Sequence, residues 1–333
     1  MFVVENYAAA VFCCVITMLC WGSWANTQRL AGKNWRFELF YWDYVFGTAL
    51  MILVLCLTLG SFGSSGRSLL TDLRQADPEP IGSAIAGGVV FNAANILLVA
   101  AIDIAGMAVA FPVGIGLALV LGVLLNYWAE PLGNPLLLFT GVGLIVAAMV
   151  CAAMAHRRRP GQDQAVGAKG LLLSLLSGLL MGSFYRFVAA SMSTNFHDLA
   201  PGKLGPYSAL LFFAVGLLLS NSIFNTALMQ WPIRGNPVTG ADYFRGTARD
   251  HLCGMAGGAI WAVGMTLNIV AAGQAGFAIS YGLGQGATLV AACWGVFIWH
   301  EFRDARPGTG KILVLMFAGY LLGLGLIIAA RMA

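Results

Sequence analysis

The chain is divided into ten apolar stretches, each close to the roughly 20 residues a helix needs to cross the hydrocarbon core of a bilayer. They run approximately over residues 6–28, 38–60, 80–102, 105–128, 134–155, 169–192, 206–230, 251–272, 276–299 and 310–331. In lipid every backbone polar group must find a partner inside the protein, which leaves helices and closed barrels. Stretches of this length predict helices, because barrel strands are about half as long. The expected fold class is all-α, a polytopic membrane protein with ten transmembrane helices. Composition agrees: of 333 residues, 59% are hydrophobic and 10% are charged, against roughly 25% charged in a soluble domain. Too few charges remain to coat a water-soluble globule, which excludes disorder and an ordinary soluble enzyme. The net charge of +4 is a mild excess, so lipid and not nucleic acid is the expected partner. The first stretch is too long for a signal peptide, and no small-residue cleavage site follows it.

The connectors are short and hold most of the charges and turn residues, as in Asp77-Pro78-Glu79-Pro80 and Arg234-Gly235-Asn236-Pro237. Two are very tight, near Asp103 to Gly106 and near Gln274 to Gly276, which implies antiparallel neighbours. Alternate connectors carry 13 Lys and Arg on one side of the membrane against 4 on the other, with Arg186 inside a span. The positive-inside rule then puts His156–Lys169 in the cytoplasm and both termini outside, in a bacterial inner membrane. The cysteines lie largely within apolar runs and lack C-x-x-C spacing. They read as small buried hydrophobes, not disulfides or metal ligands.

The two halves also resemble each other. A shift of 170 residues lays Ala86-Gly87-Gly88 on Ala256-Gly257-Gly258, Ala105-Gly106 on Ala275-Gly276, and Phe111–Gly116 on Tyr281–Gly286. Gly22-Ser23 similarly matches Gly182-Ser183. The expected division is a first five-helix repeat over 1–157, a short cytoplasmic linker over 158–168, and a second repeat over 169–333. Five is odd, so the copies enter the membrane in opposite directions. That is the inverted repeat of secondary transporters, whose substrate site lies near the midplane.

Ten helices built as five plus five resemble the drug/metabolite transporter (DMT) superfamily. Within it, Met1-Phe2-Val3-Val4-Glu5, Trp42-Asp43-Tyr44, Ala86–Val90, Leu125-Asn126-Tyr127 and Trp294–Phe297 with Glu301-Phe302-Arg303 are similar to plant ureide permeases. Trp21-Gly22-Ser23-Trp24 equally resembles the glucose/ribose porter and rhamnose symporter branches. The likeness covers nearly the whole chain but is diffuse. It implies uptake of a small polar solute, often with protons. Plant ureide permeases carry a long central loop that looks like a nucleotide-binding insert. The central loop here is short, so the resemblance gives no reason to expect ATP, and no cofactor is expected.

Polar side chains inside a span usually face a cavity or another helix. Arg186 lies well inside the sixth span, where it can bond a substrate carbonyl or pair with Glu130; the alternative is snorkelling to the interface. Asp43, between Trp42 and Tyr44 in the second span, suits a proton-coupling role, as a carboxylate in apolar surroundings can take up and release a proton. Its alternative is a helix-terminal aspartate. Glu5 is a third proton-coupling candidate, at the outer mouth, or else a solvated terminal residue. Asn92 and Asn95 share a helix face, and their amides can read a neutral polar solute or merely join helices. Trp21, Trp24, Tyr185, Trp261 and Tyr281 can stack on a flat ring or sugar face, or simply pack. Gln285 is the polar residue in the second Gly-rich opening. These residues form the expected substrate site.

Enzyme signals are weak. Gly308-Thr309-Gly310-Lys311 lacks the first glycine of a phosphate-binding loop. The four histidines, His156, His197, His251 and His300, are dispersed near membrane edges. No triad or metal site is expected. The reading is therefore a secondary transporter, monomeric or homodimeric, and not an enzyme. It imports a ureide, nucleobase or nucleoside type of solute by proton symport. A proton-coupled monosaccharide permease and an exporter of drugs or metabolites stand as alternatives.

Overall fold

The structure is a computed structural model that describes residues 1–32, 35–160, 167–233 and 235–333. The predicted linker 158–168 therefore lies partly outside the described residues. The described residues are all-helical, with one isolated bridge between Met192 and Leu204. The spans are α1 (Tyr7–Ser23), α2 (Phe37–Leu57), α3 (Pro78–Ala105), α4 (Phe111–Ala129), α5 (Pro135–Arg157), α6 (Ala168–Ser191), α7 (Pro206–Gln230), α8 (Ala248–Ala275), α9 (Phe277–Ile298) and α10 (Thr309–Ala329). Among the described residues, nine of these are long and apolar enough to cross a membrane, and α1 is shorter at 17 residues. The sequence predicted an unbroken first span over 6–28. Instead α1 stops at Ser23 and a separate short helix covers Asn26–Leu30.

Local chemistry starts and stops these helices where the apolar runs change. Asn6 accepts a hydrogen bond from the Ala9 N–H and so caps α1. Asn134 does the same for Leu136 and Leu137 ahead of α5. Thr247 and Asp250 form a reciprocal capping box at the start of α8. Proline occupies the first turn of α3, α5 and α7, where its missing N–H is not needed. α3 and α8 are each 28 residues long and both end at a glycine with positive φ, +75° at Gly106 and +81° at Gly276. Glycine tolerates that conformation without penalty, which lets the next span turn back at once.

Packing follows a matched scheme. α3 packs on α6 and α7, while α8 packs on α1 and α2; α4 packs on α6, while α9 packs on α1. α2 against α7, α4 against α9 and α5 against α10 close the bundle. Glycines let backbones approach closely: a Cβ on Gly88 would collide with the Phe213 carbonyl on α7, and one on Gly258 with the Tyr44 carbonyl on α2. Small residues at helix contacts are how membrane bundles bring backbones together. Outward faces are apolar, as with Leu172, Leu175 and Leu179 on α6, which suits lipid.

The chain ends lie on one face. Tyr7 donates to the Ile328 carbonyl at 2.7 Å, and Arg331 donates to the Gln274 carbonyl at 3.2 Å. The arginine-rich connectors gather at the other face. There Arg158 bonds the Pro307 carbonyl, and Glu301 bridges Arg29 at 2.7 Å and Arg159 at 3.0 Å.

Candidate functional site

Aromatic residues from seven spans meet in the middle of the bundle. Trp261 on α8 is the hub. Trp21 on α1 stacks on it at 5.9 Å between ring centroids and 11° between planes, and donates its indole N–H to the Trp261 carbonyl. Phe91 on α3 lies 4.5 Å from Trp261, Phe213 on α7 lies 6.0 Å away, and Tyr44 on α2 meets it edge-on at 6.5 Å. Trp24 packs on Tyr44 at 4.6 Å. Phe184 on α6 links this group to Tyr281 on α9, and Tyr281 is 5.0 Å from Tyr185. The five aromatic candidates from the sequence thus join one cluster.

The amides lie around it. Asn92 accepts from the Tyr41 hydroxyl at 2.9 Å and donates to Ser220 at 2.9 Å, and Asn95 donates to Tyr41 at 3.1 Å. Tyr41 in turn stacks on Tyr44 at 5.4 Å. These bonds tie α2, α3 and α7 together, so both asparagines serve the joints between helices in this conformation. Asn268 on α8 donates to the Ser280 carbonyl at 2.8 Å, but its own carbonyl oxygen is buried without a hydrogen bond. The Asn268 side chain neighbours Trp21, since a Cβ on Gly284 would touch the Asn268 amide nitrogen at 2.8 Å and the Trp21 ring at 2.9 Å. Such an orphan acceptor is expensive to bury unless something pairs with it.

α9 breaks beside this point. Its first helical piece ends at Gly284, its second begins at Ala287, and Gln285 occupies the gap with its side chain mostly buried. The related stretch Phe111–Ile115 of α4, like Trp294–Ile298 of α9, is wound as a π-helix, a distortion frequent at functional sites. Next to the break, a cavity of about 160 Å³ is lined by Gly22, Thr288, Trp294, Met316 and Tyr320 and ends at Arg29 and Glu301.

Asp43 lies apart from the aromatic cluster, near the arginine-rich face. It is 2% exposed. Tyr243 donates to its Oδ1 at 2.5 Å, and His251 Nδ1 lies 3.0 Å from both carboxylate oxygens. Trp35 packs edge-on against His251 at 5.1 Å. From sequence alone His251 reads as a membrane-edge residue, and nothing there singles out Tyr243. Asp43 and His251 are 208 positions apart, and the pair exists only because α2 packs on α8.

The remaining candidates sit toward the face that holds the termini. Arg186 is half-buried, five residues before the end of α6. Burial holds the Glu130 carboxyl above the usual carboxylate range, and the positive charges of Arg186 and Arg331 partly offset this. One Glu130 oxygen is buried without a hydrogen bond. Glu5 is exposed and lies 3.9 Å from His197. Among the described residues, no group of three or more His, Cys, Asp and Glu is placed to hold a metal ion.

A family model described as ureide permease matches residues 40–166 and 164–330. The chain belongs to the ureide permease family. Ureide permease 1 of Arabidopsis thaliana is 20% identical over 386 aligned positions, covering 99% of this chain and 99% of that protein. Ureide permease 4 of the same plant is 22% identical over 397 positions, with the same coverage of both chains. A protein of known crystal structure shares the fold with a TM-score of 0.61 at 15% identity, covering 98% of this chain and 99% of the other. Family membership and the apolar spans make this an integral membrane protein, a transporter rather than an enzyme.

Proposed function

We propose that this protein is a secondary transporter that imports ureides or closely related nitrogen-rich, largely neutral solutes, with protons as the coupling ion. The observation that carries this reading is the full-length likeness to proteins named ureide permeases. The chemistry of the centre supports it. A ureide is flat and rich in amide donors and acceptors. The Trp21–Trp261 stack offers ring faces, and the unpaired Asn268 carbonyl offers an acceptor for an N–H. Gln285, at the break in α9, adds an amide of its own. Tyr185 and Tyr281 belong to the same wall, while Arg186 and Glu130 form an outer polar pair.

The mechanism in this proposal is alternating access by two inverted repeats, 1–157 and 169–333, on the five-plus-five plan of the DMT superfamily. The matched packing of α3 and α8, each against the first two helices of the opposite half, supports that plan. With the arginine-rich face in the cytoplasm of a bacterial inner membrane, the termini are extracytoplasmic. In the described conformation the aromatic cluster fills the crossing point and the Arg29–Glu301–Arg159 bridge holds the arginine-rich face shut. Import then requires that bridge to part.

The test is uptake by purified protein in liposomes under an inward proton gradient, with labelled allantoin, uracil and ribose offered in turn. Saturable uptake of allantoin or uracil, competed by the other and not by ribose, is the expected result. Uptake of ribose alone, or of none of the three, removes the reading.

A further inference from the structure

We propose that the coupling proton is held by the Asp43–His251 pair, with Tyr243 positioning the carboxylate and the cleft beside Trp35 supplying the aqueous path. This deepens the transport reading above and rests on it for its role in coupling, but the site itself is defined by geometry alone.

An ionised carboxylate only accepts hydrogen bonds, so the proton shared between His251 Nδ1 and the two Asp43 oxygens, each 3.0 Å away, belongs to the imidazole. The neutral ring then carries its lone pair on Nε2. That nitrogen points to the wall formed by Gly246 and Trp35: a Cβ on Gly246 would stand 2.7 Å from Nε2. The same wall borders an open cleft of about 440 Å³, lined by Trp35, Asp242, Gly246 and Asp250 among others. His251 keeps 26% of its side chain exposed while Asp43 keeps 3%. Of the two, His251 is therefore the member a proton from water reaches before Asp43. Its uptake turns the ring into an imidazolium whose charge is answered by Asp43; its return to water restores the neutral ring. No other group changes its proton count.

The other charged groups around the pair are occupied. Asp250, on the same helix, accepts from Gly32 N–H at 2.7 Å and from Thr247. On α2 and the residue before it, Arg36 bonds Glu38. In the connector from α7, Arg245 faces Asp242 at 3.3 Å. Arg249 donates to the Leu30 carbonyl, and Arg29 on the short helix after α1 pairs with Glu301. Tyr243 also faces His251, at 4.7 Å between rings.

The placement links proton binding to shape. Asp43 is on α2 and His251 on α8, one in each proposed repeat. Protonation adds to the hydrogen bond between them the Coulomb attraction between an imidazolium and a buried carboxylate, which the neutral ring lacks. A proton on His251 therefore favours the conformation in which α2 and α8 touch here. A ligand shifts a conformational equilibrium only through such a difference between states.

The test reads Trp35 fluorescence against pH, because an imidazolium in contact with an indole quenches it. Wild type is compared with His251→Gln, Trp35→Phe, Asp43→Asn and Tyr243→Phe, each checked for monodispersity in detergent. The expected result is a single quenching step as the pH falls. It is absent in His251→Gln and Trp35→Phe. In Asp43→Asn its midpoint is displaced by about one pH unit or more, a tenfold change in proton affinity. Tyr243→Phe keeps the step with a smaller displacement and stands in if Asp43→Asn does not fold. A titration unchanged by His251→Gln overturns the proposal, and so does one that neither Asp43→Asn nor Tyr243→Phe moves. Since the measurement needs no solute, failure to transport any ureide leaves this outcome readable. In liposomes His251→Gln is expected to abolish the stimulation of uptake by an inward proton gradient; equal stimulation in variant and wild type overturns the coupling role.

Discussion

Removal of the carboxylate charge at Glu301 should open the arginine-rich face. Glu301 is 11% exposed and lies 2.7 Å from Arg29 and 3.0 Å from Arg159. It is thus the one anion in a bridge between the end of α5, the short helix after α1, and the end of α9. The Arg29 side chain is 48% exposed, so solvent screens that pair and its contribution is about 0.5 kcal/mol. Arg159 is 25% exposed and packs over Phe302; this pair is worth about 1 kcal/mol, at the upper end for exposed pairs. Glu301→Gln keeps the shape and loses both attractions, roughly 1–2 kcal/mol in favour of the parted state. With 1.4 kcal/mol per tenfold, the population of molecules open on this face rises about fivefold to thirtyfold. Spin labels at positions 160 and 304, placed in a background without native cysteines, report the separation by pulsed electron resonance. The variant should show a longer-distance population that is small in wild type, and Arg159→Gln should show a weaker version of it. Superimposable distance distributions in variant and wild type would refute the view that this bridge holds the face closed.

Other outcomes follow from the packing. Gly258→Ala and Gly88→Ala each push a methyl into a backbone carbonyl of the facing helix. Each should lose about 1–3 kcal/mol of stability, read as a similar fall in melting temperature in detergent; a loss at only one of them would contradict the matched scheme. Tyr41→Phe strips a hydrogen-bond partner from both Asn92 and Asn95, leaving buried amide groups unpaired at about 1–3 kcal/mol, again read by thermal unfolding. Glu130→Gln has a pH signature. Because burial raises this carboxyl above its ordinary value, whatever stability its proton confers is present at acidic pH and lost as pH rises through the raised value. The variant should match wild type in acid and exceed it in melting temperature near neutrality; a variant less stable than wild type at neutral pH refutes the burial argument.

Much of this protein is legible in its sequence, for physical reasons that can be named. Lipid demands long apolar helices, so their number and rough bounds appear directly in the run lengths. Ala105-Gly106 and Ala275-Gly276 mark two tight turns because the backbone there needs φ values that glycine adopts freely. The aromatic residues are visible as well, since Trp21 and Trp261 sit inside spans and Trp24 lies just past the end of one. What stayed hidden depends on contacts between distant segments. Asn92 and Asn95 look like ligand-reading amides until Tyr41 is seen to occupy them. His251 looks like an edge residue until α2 brings Asp43 against it. A signal was present: Asp43 and His251 both fall within the first turns of their apolar runs, and both runs begin from arginine-bearing connectors. The break of the first span near Trp24 had no such mark, since residues 24–28 continue the apolar and polar mixture without proline or glycine.

The most direct test of the central claim is accumulation. Protein in liposomes, with an acid exterior and labelled allantoin or uracil at equal concentration on both sides, should concentrate the solute inside and release it when a protonophore collapses the gradient. A level that never exceeds the outside concentration, or one indifferent to the protonophore, would contradict the account of a proton-driven importer.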